Sequence, residues 1–141
     1  MAPRFSHEFR VRYSECDAQG CVFNAQYLAY FDLAITELWR EVFGGYAWMT
    51  EEGVDMMVAE ASVRYRAPVR FDEWIEISIA VERMGETSMT TAYTVRCDGQ
   101  PRAEGWLRHV FVDGERFTKQ EIPPVVRKGL KPYLEVAEAS A

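Results

Sequence analysis

One segment constrains this chain more than any other. From Asn24 to Val42, apolar residues recur at helical spacing: Tyr27, Tyr30, Phe31, Ala34, Leu38 and Val42 form one stripe, and Leu28, Ile35 and Trp39 widen it. A helix needs only one apolar stripe to dock on a core. A band this broad predicts a helix largely enclosed by other elements. Asn24 is placed to cap its start, and Gly44-Gly45 to stop it. The rest of the chain must therefore wrap around this helix.

The wrapping reads as β-structure. Before the helix, Phe9, Val11 and Tyr13 alternate with Glu8, Arg10, Arg12 and Ser14, the mark of a strand with one wet face. "CDAQG" then breaks the pattern with turn residues. After the helix, "YAWMTEEG" predicts a short helical turn. Ala59, Ala61, Val63 and Tyr65 alternate against Glu60, Ser62, Arg64 and Arg66 until Pro68 ends that strand. Ile75, Ile77, Ile79 and Val81 share one face of the clearest strand. "SMTTAYTVRC" and "AEGWLRHVFV" read as two more, joined by the hairpin signal "DGQP". A polar-flanked C-terminal helix follows Pro123-Pro124. No linker or repeat interrupts residues 1–141, so one domain is expected. The order predicts an α+β fold, a curved antiparallel sheet of about five strands wrapped around one long central helix.

Charge and cysteine content narrow the function. The net charge is −6, whereas nucleic-acid binding calls for a basic stripe. Cys16, Cys21 and Cys97 are odd in number and form no CxxC. They suit neither a disulfide framework nor a zinc knuckle, and point to a reducing, cytoplasmic setting. No run approaches the ~20 apolar residues of a membrane span. With His7 and His109 the only histidines, no metal cluster is expected.

Asp17 is the candidate for chemistry, and the residues alone leave two readings open. It is a turn residue bonding its own backbone, or a carboxylate facing the mouth of the helix. A helix start offers unpaired N–H groups and the positive end of a dipole, which hold an oxyanion. A carboxylate beside it can attack an activated carbonyl or activate a water that does. Gly20 lets backbone approach a ligand closely. Cys16 and Cys21 lack a nearby base and read as small buried residues.

The stretch "VRYSECDAQGCVFNAQYLAYFDLA" resembles the signature of the hotdog-fold acyl-CoA thioesterases, in the 4-hydroxybenzoyl-CoA thioesterase and YbgC-like branch. "VRYRAPVRFDEWIEI", "RMGETSM" and "HVFVDGERFTKQEIP" resemble later parts of the same pattern in the right order, over roughly residues 7–133. The resemblance implies a hotdog fold and hydrolysis of an acyl-CoA to free acid and coenzyme A, with coenzyme A entering only as part of the substrate and no other cofactor. It implies Asp17 as nucleophile or general base, and Asn24 at the helix start whose backbone N–H polarises the thioester carbonyl. It implies substrate contacts at Gly20, Val22, Phe23, Tyr27 and Ser88, and a homodimer paired into a homotetramer. Independently of it, Arg64 and Arg66 share one strand face and are either a small positive patch that meets the CoA phosphates or solvated surface charges. This chain departs from relatives that carry His at Asn24 or Cys21. It also departs from the aryl-CoA branch, whose consecutive basic residues precede Ser88; here Gly85, Glu86 and Thr87 stand there. A non-catalytic acyl-CoA or acyl-carrier binder, or a thioesterase acting on acyl-carrier-protein or polyketide intermediates, are the alternatives. Hydratase chemistry in its usual form needs a His soon after the Asp, which this chain lacks.

Overall fold

The computed structural model describes residues 5–135; the expected domain span of 1–141 runs past them at both ends. Five strands, β1 (Ser6–Arg10), β2 (Val54–Tyr65), β3 (Trp74–Met84), β4 (Ser88–Cys97) and β5 (Gln100–Asp113), form one sheet in the order β1-β3-β4-β5-β2. Every neighbouring pair is antiparallel. The long helix α1 (Gln26–Phe43) packs on one face, followed by α2 (Ala47–Glu51), with α3 (Pro124–Leu130) after the last strand. This is the α+β hotdog arrangement expected. Among the described residues no helix is long and apolar enough to cross a membrane.

Alternation decides which face meets the helix. Ile75, Ile77, Ile79 and Val81 are buried, as are Tyr93, Val95, Ala103 and Leu107 beside them. From α1, Tyr27, Tyr30, Phe31, Ala34, Ile35, Leu38 and Trp39 are buried against them. Phe31 stacks on Tyr93 with ring centroids 4.4 Å apart and planes 7° from parallel. Gly105 on β5, opposite Tyr93 on β4 and Val63 on β2, makes that approach possible. A Cβ there would lie 2.1 Å from the Ser62 carbonyl oxygen and 2.7 Å from the Phe31 ring. The β4–β5 hairpin closes through Asp98 and Gly99, both at positive φ, the backbone that matches strand twist.

Four local expectations change. β1 ends at Arg10, and Tyr13 stands 80% exposed in a 3-10 turn (Tyr13–Glu15), edge-on to Phe71. The Glu15 carboxylate accepts from the Arg12 N–H at 2.8 Å and turns the chain there. Asn24 does not cap α1; Ala25 occupies the cap position, and no side chain bonds the helix start. Leu28 is 38% exposed, on the face of α1 away from the sheet. β2 begins at Val54, earlier than alternation suggests, because a bulge between Val58 and Glu60 resets the period.

After β5 the chain folds back along α1. Val126 and Leu130 are buried, and Gly129 sits under the Phe43 ring. Arg127 Nη2 donates to the Gly85 carbonyl at 2.7 Å, tying α3 to the β3–β4 turn.

Candidate active site

Residues Cys16 to Val22 form a small hairpin. Cys16 bridges Val22, and the Asp17 N–H donates to the Cys21 carbonyl at 2.8 Å. The Gly20 N–H returns to the Asp17 carbonyl at 3.0 Å, and Gly20 supplies the positive φ of 77° that the turn requires. Asp17 Oδ1 accepts from the Gln19 N–H at 2.9 Å and the Cys21 N–H at 3.3 Å. Among the described residues, Oδ2 accepts no hydrogen bond. One carboxylate oxygen therefore builds the turn while the other stays available, and the two readings of Asp17 are compatible in one side chain.

The hairpin is fastened on both sides. Val22 N–H donates to Val69 O at 2.8 Å, Phe71 N–H to Gly20 O at 2.9 Å, and Phe23 N–H to Glu15 O at 2.9 Å. Glu15 also accepts from the Tyr30 hydroxyl at 3.0 Å, joining the segment before Asp17 to α1. Burial, then the Glu15 carboxylate, pushes the Tyr30 phenol well above its ordinary pKa, so it remains a donor. Burial likewise pushes Tyr27 up to about 12, partly offset by a backbone hydrogen bond at Val69. Burial raises the Cys16 thiol, with the charges of Glu15 and Asp17 adding to it, which disfavours a thiolate nucleophile. Arg70 Nη1 reaches Cys21 Sγ at 4.0 Å.

Between the hairpin and α1 lie Phe23, 50% exposed, and the exposed Asn24. The Phe23 carbonyl accepts from Gln26 N–H at 2.9 Å, and the Asn24 carbonyl from the Tyr65 hydroxyl at 2.9 Å. Among the described residues, the N–H groups of Asn24 and Ala25 have no acceptor. The structure thus places a free carboxylate oxygen on a turn close in sequence to two unpaired N–H donors at a helix start. Gly20, Val22 and Tyr27 frame the same corner, Val22 and Tyr27 as buried side chains.

The remaining residues named from sequence lie elsewhere. Arg64 pairs across from Glu104 on the face away from α1, and Arg66 forms an ion pair with that carboxylate. Ser88 starts β4 opposite Val110, whereas Tyr65 lies opposite Ala103. At ~3.3 Å per residue, the Ser88 end of the sheet is roughly 23 Å from the Tyr65 end. Close to the Ser88 end, a cavity of about 330 Å³ opens between α1, α2, β2 and β5, lined by Asp32, Ile35, Thr36, Tyr46, Asp55, Met56, Val58 and His109. His109 is 1% exposed and bonds Thr91 Oγ1 at 3.0 Å through Nε2. Burial lowers its pKa to about 4 and raises that of Asp32. Neither this cavity nor the Tyr65 hydroxyl was signalled by periodicity, since both are made by residues far apart in sequence. Ligand atoms of Glu73, Cys97 and Asp98 lie within 4.8 Å of one another. Glu73 is already held by the Arg70 N–H, by Arg102 and by the Cys97 thiol, so this group is an ion-pair frame behind the loop.

The profile described as the thioesterase-like superfamily matches residues 11–130. The acyl-CoA thioester hydrolase YbgC of Escherichia coli O157:H7 is 30% identical over 84% of this chain and 90% of that protein. A crystal structure of a hypothetical protein from Aquifex aeolicus superposes with a TM-score of 0.85 at 28% identity, covering 90% of this chain and 99% of the other. A Pseudomonas aeruginosa structure gives 0.86 at 28% identity over 96% and 95%. With its sheet, central helix and sequence all matching along nearly their full length, the chain belongs to the thioesterase-like superfamily.

Proposed function

We propose that this thioester hydrolase cleaves acyl-CoA thioesters, with Asp17 as the catalytic carboxylate and the N–H groups at the start of α1 as the oxyanion hole. The observation that carries the reading is the open Oδ2 of Asp17 on a hairpin joined directly to unpaired N–H groups at Asn24 and Ala25. Asp17 attacks the carbonyl or takes a proton from the attacking water. On the first route the C–S bond breaks as a mixed anhydride forms on Asp17, and coenzyme A leaves as the thiolate and takes a proton from water. A second water then hydrolyses the anhydride to the free acid and Asp17. On the second route the tetrahedral intermediate collapses with cleavage of the C–S bond, and the proton held by Asp17 passes to the leaving thiolate. The developing oxyanion is stabilised by preorganised donors that need no reorganisation. The scheme draws on side chains and backbone alone. Three free cysteines suit a reducing, cytoplasmic compartment.

A second copy of the chain completes this site. β2 is a 12-residue edge strand whose outer residues, including Met57, Val58 and Tyr65, are largely exposed. A long edge of this kind is a template for pairing. Antiparallel pairing of two β2 strands about a twofold axis brings the Ser88 end of one sheet beside the Tyr65 end of the other. The roughly 23 Å that separates Asp17's end from Ser88 along the sheet is thereby bridged between subunits. The facing subunit's cavity, of a size suited to a small acyl group, then receives the acyl chain. Pairing of two such dimers gives the tetramer.

The test is release of thiol from a panel running from acetyl-CoA through hexanoyl-CoA to benzoyl-CoA, with wild type and Asp17→Asn. Asparagine keeps Oδ1 as turn acceptor but removes the charge, so turnover on the best substrate should fall at least about a hundredfold. Wild-type rates in Asp17→Asn would refute the assignment. Binding without thiol release in the wild type would favour a non-catalytic acyl-CoA carrier.

A further inference from the structure

The helix start is held by a residue from the far side of the chain. Tyr65, the last residue of β2, is 53% exposed, yet its hydroxyl donates to the Asn24 carbonyl at 2.9 Å across 41 positions of sequence. Its ring is held edge-on against Tyr27, with centroids 5.3 Å apart. The position of that ring is fixed from the other side by pairing with Ala103 on β5.

Peptide geometry gives the bond its meaning. Within one planar peptide, C=O and N–H point in opposite directions. The Phe23 carbonyl is held by Gln26 N–H, which sets the direction of the Asn24 N–H. The Asn24 carbonyl is held by Tyr65, which sets the direction of the Ala25 N–H. A hydrogen bond accepted by the carbonyl also polarises the peptide and makes its N–H a stronger donor. Asn24 carries no capping bond of its own. Among the described residues, the Asn24 carbonyl accepts from the Tyr65 hydroxyl and from no other donor.

We propose that Tyr65 is a positioning residue for the thioesterase reaction: its hydroxyl orients and polarises the Asn24–Ala25 peptide so that the Ala25 N–H joins the Asn24 N–H as a second donor to the oxyanion. The inference rests on the catalytic reading of Asp17 and the helix start given above.

The experiment is steady-state kinetics on Tyr65→Phe, Tyr65→Leu and Asp17→Asn, with butyryl-CoA and benzoyl-CoA as probes and a thermal melt of each variant. Losing one hydrogen bond that acts in the transition state should lower kcat of Tyr65→Phe by about two- to tenfold. KM should change less than about twofold, because the bond does not touch the ground-state substrate. The melt of this half-exposed conservative variant should stay within about 2 °C of wild type. Tyr65→Leu, which also loses the ring against Tyr27, should lower kcat further. Wild-type kcat in Tyr65→Phe overturns the proposal, as does a kcat loss that merely follows a lowered melting temperature. If Asp17→Asn is inactive while Tyr65→Phe is wild type, only Tyr65 is misassigned. If Asp17→Asn keeps wild-type turnover, the catalytic reading beneath it falls as well.

Discussion

Gly105→Ala is the substitution that asks most of this fold. Gly to Ala in a strand would ordinarily stabilise by up to about 1 kcal/mol, through reduced freedom of the unfolded chain. Here the added Cβ meets the Ser62 carbonyl oxygen at 2.1 Å and the Phe31 ring at 2.7 Å. The ring contact is relieved only by lifting α1 off Tyr93. The carbonyl contact is relieved only by moving β2, which pairs with β5 at that position. Overpacking of a dense core costs about 1–3 kcal/mol, and a backbone neighbour that cannot rotate away places this site at the upper end. The steric cost wins over the entropic gain by roughly 2 kcal/mol. For a chain of this length that is a fall in melting temperature of about 5–10 °C. A lifted α1 also carries the Asn24 donors with it, and a misplacement near 1 Å can cost about a hundredfold in rate. Calorimetry and thiol release on purified protein read the two effects. Phe31→Leu in the same background should recover only part of the stability, since the Ser62 contact stays. A Gly105→Ala protein that melts within about 2 °C of wild type and turns over normally would refute the argument that this glycine sets the helix-to-sheet distance.

Two further outcomes follow from the site and its surroundings. His109, buried and held neutral with a pKa of about 4 against an ordinary 6.5, binds its proton less readily folded than unfolded. Its contribution is therefore fully present above about pH 6.5 and is lost as pH falls toward 4, by up to about 3 kcal/mol; denaturant melts from pH 7 to 4 should show a shallower acid decline in His109→Gln. Gly20→Ala forces a side chain to φ 77°, which should cost about 1 kcal/mol and lower kcat by loosening the turn that presents Asp17, measured by the same melt and thiol assays.

The elements that build the sheet were legible where burial imposes a period. Ile75, Ile77, Ile79 and Val81 could be read because one face of β3 is core along its length. Tyr13 misled because it continues the alternation of Phe9 and Val11 although the chain has already turned, a turn made by Glu15 bonding back to Arg12. Asn24 has the right chemistry for a cap, but the carbonyl of its own peptide is captured by Tyr65 and its helix starts two residues later. Local preference gave way to a tertiary bond there. Arg66 read as an available cation because only strand register reveals Glu104 beside it. The turn at Asp17 was legible from its residue types, but the division of its two carboxylate oxygens between turn bonds and solvent was not, since that depends on which N–H groups the hairpin points inward.

The order of strands in the sheet has a consequence for how the chain comes to be folded. β3, β4 and β5 are consecutive neighbours and can pair as they are made, whereas β2 has β5 as its sheet neighbour. On the ribosome, β2 therefore waits for roughly forty residues of further synthesis, about two to eight seconds at ordinary elongation rates. Through that interval its apolar residues Met57, Val58 and Val63 have no strand beside them. Nascent chains of this protein pass through those seconds with the future outer strand of the sheet unpaired.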